Sequence, residues 1–317
     1  MRIFKNYQLN ILFLFCLLFS CVHNETNASF DEWKASFKTK ALNNDISLKV
    51  FDSAFKNVKQ NPQYQQKDNK QYNRDQTFAA YYLNHVNNKR ISRGKETQKK
   101  YLELLNKTQN KFGVQQQYIL ALWGIETDYG KLSGDYYVIE SLANLAYNTR
   151  RSEFFEKQLI FALKMIQEQH VDIGSFYGSW AGANGQCQFM PSSFYSYAYD
   201  GDYDGVKDIW HNPHDIITSI ANYLYTLDWD DNVPWGYEIK KIDNVELNAF
   251  NKLSLFESKG VKRINNKEFT DYELKQKVKI IKLDDRFFVT FNNFEILWDW
   301  NNSNYFATTV GIFADQL

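Results

Sequence analysis

Apolar residues recur at helical intervals over most of this chain. Phe30, Trp33, Phe37 and Ala41 lie on one helical face, and Ser29 and Glu32 just ahead of it have capping-box spacing, which predicts a helix opening at Ser29. The Gln-, Asn- and Lys-rich stretch from Asn57 to Asp75 lacks that period and reads as an extended, solvated connection into the main body. From Phe78 to Tyr225 the pattern is mainly helical, with Phe155, Leu159, Ala162, Leu163 and Ile166 forming one apolar face. Asn212-Pro213 supplies an N-cap residue and a proline at the first helical position, ahead of the core face Ile216, Ile217, Ile220 and Leu224. After Trp235 the texture changes. Val278, Ile280 and Leu283, then Phe287, Val289 and Phe291, flank Asp284-Asp285-Arg286, which predicts a β-hairpin within a small β-containing insertion at about residues 235–295. Ala307 to Leu317 reads as a helix returning to the main body. The expected fold class is mainly α, with a smaller β-containing region in the C-terminal third.

One acid interrupts this pattern. Ile119, Leu122, Trp123 and Glu126 occupy i, i+3, i+4 and i+7, so Glu126 stands where the stripe calls for an apolar residue. Gly130 predicts that the helix ends soon after, leaving Glu126 near its partially negative end. Desolvation and that dipole both disfavour the charged carboxylate and raise its pKa. A carboxyl group kept protonated near neutral pH is what a general acid at a glycosidic oxygen requires. Two plainer readings stay open: a buried glutamate paired to an arginine, or a helix turned so that Glu126 faces water. Asp128 is a poor second carboxylate, because residues two apart on a helix do not face each other.

Composition narrows the classes. The chain has 317 residues, 44% of them apolar, enough for a sizeable core. Its 37 basic and 37 acidic residues balance, so no net field favours nucleic acid. Arg2 and Lys5 precede an apolar run from Leu9 to Phe19, too short to span a bilayer comfortably, which predicts a signal peptide over residues 1–20. Leu18-Phe19-Ser20-Cys21 resembles the bacterial lipobox. Cys21 would then be lipidated and residues 21–28 would form a tether, placing the protein in the cell envelope, as an outer-membrane lipoprotein facing the periplasm. An ordinary signal peptide with an incidental cysteine is the alternative. With Cys16 removed and Cys21 lipidated, Cys187 stands alone, which excludes an internal disulfide and a cysteine-based zinc site.

A second cluster has the chemistry of a cation loop. Asp200, Asp202, Asp204 and Asp208 take positions 1, 3, 5 and 9 of an EF-hand-like loop, with Gly205 at 6 and Val206 offering its carbonyl at 7. His211 stands at position 12, where the bidentate glutamate belongs, so a structural Ca²⁺ bound weakly and a solvated acidic turn both fit.

Two longer motifs carry a family resemblance. Trp123-Gly124-Ile125-Glu126-Thr127-Asp128-Tyr129-Gly130 resembles the catalytic helix of the membrane-bound lytic murein transglycosylase B family. Ser179-Trp180-Ala181-Gly182-Ala183-Asn184-Gly185-Gln186-Cys187-Gln188-Phe189-Met190-Pro191-Ser192-Ser193 resembles its second signature. Ala221-Asn222-Tyr223 and Trp300-Asn301-Asn302-Ser303 follow in the expected order, so the similarity runs from about Phe30 to the C-terminus over residues 29–317.

The resemblance implies a lysozyme-like helical core and cleavage of the bond between N-acetylmuramic acid and N-acetylglucosamine in peptidoglycan, without water. Glu126 would act as acid and then as base, and the muramoyl 6-hydroxyl would close to a 1,6-anhydro product with no cofactor required. It implies that Ser179 and Gln188 hydrogen-bond near the acid and the substrate acetamido groups, that Tyr223 and Asn301 line the cleft, and that Arg150 or Arg151 meets the peptide stem. Without the resemblance, Ser179 and Gln188 would read as parts of a Gly-rich turn. Some members also carry an EF-hand-like loop. This chain departs from the pattern at Asn184, where the family usually has Met, and at Trp300 and Phe306, where it has Tyr; the loss of two phenolic hydroxyls predicts lost hydrogen bonds. A muramidase on the same scaffold and an inactive peptidoglycan-binding lipoprotein are the rival functions.

Overall fold

The computed structural model describes residues 28–70, 76–147, 149–243 and 245–317. The expected signal segment, Cys21 and the tether through residue 27 lie outside them, as do residues 71–75. Helix α1 (Phe30–Leu42) opens as its spacing predicts. The Ser29 hydroxyl accepts the Glu32 backbone N–H at 3.3 Å, and Glu32 Oε2 accepts the Ser29 backbone N–H at 2.7 Å. Phe30, Phe37 and Ala41 are buried, and the Trp33 indole donates to Glu156 at 2.9 Å.

Helix α2 (Leu48–Phe55) follows, and then the stretch expected to be extended departs from that expectation: Gln63–Lys70 is a helix, α3. Its polar composition hides how it is held. Tyr64 and Asp68, four apart and so on one face, are both buried, and Asp68 pairs with Arg151 at 2.5 Å. Just ahead of α3, the Asn144 side chain accepts the Asn61 N–H at 2.6 Å and donates to the Lys59 carbonyl at 2.9 Å. Polar tertiary contacts stand where an apolar stripe would otherwise have been legible.

The helical body continues through α4 (Phe78–His85), α5 (Asn88–Lys100), α6 (Leu102–Phe112), α7 (Gln116–Thr127), α8 (Val138–Ala146), α9 (Ser152–Gln167), α10 (Pro191–Tyr197) and α11 (Pro213–Thr226). Helix α11 starts at the expected cap, with the Asn212 side chain accepting the His214 N–H at 3.0 Å. Two short strands, β1 (Tyr136–Tyr137) and β2 (Tyr177–Gly178), pair antiparallel beside these helices. Helix α7 is the centre of the body: every residue from Tyr118 to Ile125 is buried, so it is apolar all round rather than along one stripe.

The C-terminal third holds a four-stranded antiparallel sheet in the order β3-β6-β5-β4, from β3 (Gly236–Ile239), β4 (Asn251–Lys252), β5 (Lys277–Leu283) and β6 (Arg286–Thr290). The hairpin of β5 and β6 turns at Asp284-Asp285, with Leu283 opposite Arg286 and Asp284 at φ 50. Alternation along β6 divides two cores. Phe287 and Val289 join Leu253, Phe256, Val261 and Val278 in a small core beneath α12 (Leu253–Ser258) and α13 (Asp271–Lys275). Phe288 points the other way into the main body, edge-on to Phe78 at 5.9 Å. The chain returns through α14 (Asn292–Asn301) and α15 (Asn304–Ala314), the latter packed on α7. Gly311 permits a close approach there, since a Cβ would fall 2.1 Å from the Trp235 ring. No helix among the described residues is long and apolar enough to cross a membrane.

Candidate active site

Glu126 sits in the last turn of α7. The helix stops at Asp128, which takes a left-handed conformation (φ 51), with its N–H returned to the Gly124 carbonyl at 3.0 Å. The arginine-paired acid here is Asp128, bonded to Arg93 and, at 3.5 Å, to Arg90 of α5. Glu126 faces elsewhere, and no cation pairs with it among the described residues. Its carboxyl Oε1 accepts a hydrogen bond from Trp300 Nε1 at 2.7 Å. Burial pushes its pKa up to about 8, with the Trp300 bond opposing the rise. The side chain is half-buried against Trp300, so neither an arginine pair nor a fully solvent-facing helix surface describes it.

An aromatic wall stands beside the carboxyl. Trp300 on α14 lies 4.4 Å from the Tyr223 ring of α11 and 5.4 Å from Phe189, and Tyr197 of α10 continues the row 4.4 Å from Tyr223. The loop after β2 folds back on itself beside this wall. The Ser179 N–H donates to Ala183 O at 2.7 Å, Ser179 Oγ accepts the Ala183 N–H at 3.1 Å, and Asn184 and Phe189 exchange backbone bonds at 2.9 and 3.1 Å. Gln186 pins the loop to α7: its Oε1 accepts from the Trp123 indole at 2.8 Å and its carbonyl from Thr127 Oγ1 at 3.0 Å.

The expected site residues divide. Glu126 and Tyr223 both contact Trp300, and Ser179 and Gln188 belong to the loop that Gln186 ties to α7. Neither Ser179 nor Gln188 bonds to Glu126 here. Gln188 takes a left-handed backbone (φ 49), and its amide N–H donates to Ser133 O and Gly185 O at 3.2 and 3.0 Å. Asn301 is exposed at the end of α14, and it is its neighbour Trp300 that reaches the acid. Arg151 is committed to Asp68 and lies over the Phe155 ring at 4.8 Å, while Arg150 is exposed nearby.

The departures also find physical accounts. Buried Asn184 clips the loop, donating to Phe189 O at 2.9 Å, and Phe306 lies in the core. Trp300 keeps a donor, the indole N–H, and it bonds to Glu126. Trp300 and Gln186 had no role assigned from sequence, although both stand within the quoted motifs.

The sequence pattern described as Transglycosylase SLT domain matches residues 29–315. The chain belongs to that family. SltB3 from Pseudomonas aeruginosa, in complex with NAG-NAM-pentapeptide, shares 32% identity at a TM-score of 0.86, covering 90% of this chain and 79% of that one. The same protein in complex with NAG-anhNAM-pentapeptide superposes at 0.83. Membrane-bound lytic murein transglycosylase B of Escherichia coli (strain K12) is 38% identical over 130 residues, 41% of this chain. That match spans 36% of the relative's length, about a third. Escherichia coli Slt35 in complex with calcium has a TM-score of 0.78 at 24% identity, covering 89% of this chain and 91% of that one, a likeness of fold. The helical body with small sheets is thus the lysozyme-like arrangement of this transglycosylase family.

In this family member the acidic loop brings three of its expected ligands together. Oxygens of Asp200, Asp202 and Asp204 lie within 4.8 Å of one another, and Gly205 makes the turn at φ +93. Val206 anchors the loop through its N–H, which donates to Asp204 at 2.8 Å. Asp208 stands apart from the cluster, its carboxylate accepting the Trp210 and His211 N–H groups at 2.9 Å each. Buried Asp215, unnoticed in the sequence, holds the loop from behind by accepting from Gly201 at 2.7 Å and Asp208 at 2.6 Å. Burial pushes its pKa up to about 6. A cavity of about 630 Å³ lies between this loop, α6 and α11, and Glu126 does not line it.

Proposed function

We propose that this chain is a peptidoglycan lytic transglycosylase that breaks the β-1,4 bond between N-acetylmuramic acid and N-acetylglucosamine and leaves a 1,6-anhydro end. The observation that carries this reading is Glu126, half-buried, bonded to the Trp300 indole and without a cation partner among the described residues, where burial raises its pKa to about 8. The Glu126 proton passes to the glycosidic oxygen as the C1–O bond breaks. The carboxylate left behind is poorly stabilised by its surroundings and takes the proton from the muramoyl 6-hydroxyl, whose oxygen bonds to C1. Acid and base are one group, no water enters, and Glu126 ends as it began. The 6-hydroxyl replaces the second carboxylate that a hydrolytic glycosidase uses. SltB3's complexes with NAG-NAM-pentapeptide and NAG-anhNAM-pentapeptide support the substrate and product classes.

Aromatic faces suit sugar rings, so half-buried Trp300 meets the glycan, with the largely buried Tyr223 ring packed against it at the edge of the cleft. The Ser179 hydroxyl hydrogen and the Gln188 side-chain carbonyl serve the acetamido groups. Asp200, Asp202 and Asp204, with the Val206 carbonyl, hold a structural Ca²⁺, a hard cation matched to clustered oxygens. Cys21 anchors the protein to the envelope by lipid, a reading supported by the sequence around it and by the membrane-bound name of the Escherichia coli relative.

The test is mass spectrometry of products from purified sacculi treated with residues 22–317 and with Glu126→Gln. Anhydro-muropeptides lost in the variant are expected. Hydrated ends would indicate a muramidase, and protein retained on sacculi with no product would indicate a binding module.

A further inference from the structure

The wall residue Trp300 touches the acid itself, and its chemistry restricts what the acid can do. An indole N–H donates and cannot accept, and it is far too weak an acid to pass its proton to a glutamate near neutral pH. At 2.7 Å it fills one acceptor site of Oε1, while Oε2 has no hydrogen-bond partner among the described residues. The indole packs against Tyr223 at 4.4 Å and Phe189 at 5.4 Å, two rings that also touch each other at 6.0 Å, and it stands in the last turn of α14, which ends where Asn302 turns left-handed at φ 48. Rotation away from the acid would break both ring contacts.

We infer that Trp300 is a positioning residue that reserves Oε1 and directs both proton transfers of the proposed reaction through Oε2. The inference rests on that reaction for its consequence and on the observed contact for its basis. In the acid state the proton must sit on Oε2, toward the leaving oxygen. After donation, the N–H stabilises the carboxylate without competing for the proton that Oε2 takes from the 6-hydroxyl. The bond therefore sets which oxygen reacts and limits how far burial can raise the pKa.

Titratable groups on the elements packed around α7 and beside Trp300 do not duplicate this role. Arg90 and Arg93 of α5 are taken by Asp128, and Lys111 of α6 by Tyr203 and Tyr199. Burial pushes the Cys187 thiol and the Tyr129 and Tyr223 phenols up, keeping them neutral. Tyr197 of α10 packs on Tyr223, Asp299 of α14 is exposed, and Asp315 after α15 accepts from the Trp235 indole at 3.1 Å. None of them bonds to Glu126.

The test combines infrared titration with turnover on sacculi for the wild type, Trp300→Phe and Trp300→Tyr. The C=O stretch of protonated Glu126 is the band missing from Glu126→Gln. It should move to higher frequency in Trp300→Phe, which has lost the donor, and titrate about one pH unit higher. The alkaline limb of kcat should rise with it, kcat should fall about tenfold or more, and KM should change little. Trp300→Tyr keeps a ring and a donor and should recover part of each effect. A Trp300→Phe protein that melts earlier but keeps the wild-type band and limb would overturn the inference, as would a tenfold rise in KM with kcat intact. Cleavage by Glu126→Gln would instead sink the proposed reaction, while the infrared band still judges the contact.

Discussion

Replacing Glu126 by Gln should make the protein more stable in alkaline solution, although it removes a functional group. The unfolded chain releases this proton near 4.5, whereas the folded chain holds it to about 8. Between those values the unfolded state binds fewer protons, so the folded state loses stability as pH rises through the window. The full gap corresponds to about 5 kcal/mol. Because the carboxyl is partly open to solvent, roughly half of that, about 2–3 kcal/mol, is expected. Glutamine has nearly the same shape, can still accept from Trp300, and does not titrate. Thermal melts of wild type and Glu126→Gln should therefore nearly coincide at pH 4. At pH 9 the variant should melt about 5 °C higher, at about 2 °C per kcal/mol for a chain of this size. An equal difference at both pH values would refute the claim that burial perturbs this carboxyl.

Arg151→Ala should destabilise the fold by about 2 kcal/mol, seen in denaturant melts, because buried Asp68 loses its ionic partner. The stem composition of released muropeptides should not change, whereas a change would restore Arg151 as a stem contact. Added Ca²⁺ should raise the melting temperature, and Asp202→Asn should abolish most of that gain with little effect on cleavage. Gly311→Ala should cost about 1–3 kcal/mol through overpacking against Trp235, read from the same melts.

What was legible in the sequence was local. The capping box at Ser29, the proline-started α11 and the Asp284 turn each depend on a few neighbouring residues, and each appears where its spacing puts it. Glu126 stood out because an acid interrupted an apolar run, although that run is buried on all sides rather than along one stripe. Helix α3 stayed hidden because polar side chains tie it down: Asp68 to Arg151, and Asn144 to the backbone leading into it. In the sequence Trp300 stands out only as a departure from the family pattern. Its contact with an acid 174 positions away exists only once α14 lies against α7. Asp215 was similarly invisible, because its two acceptor bonds to the acidic loop need the turn into α11.

The central claim is that Glu126 cleaves the glycan without water. Digestion of sacculi in water enriched in the heavy oxygen isotope tests it most directly, because hydrolysis writes that oxygen into the new reducing end. The account predicts unlabelled anhydro-muropeptides from the wild type and none from Glu126→Gln. Labelled, hydrated ends, or unlabelled anhydro ends that persist without Glu126, would contradict it.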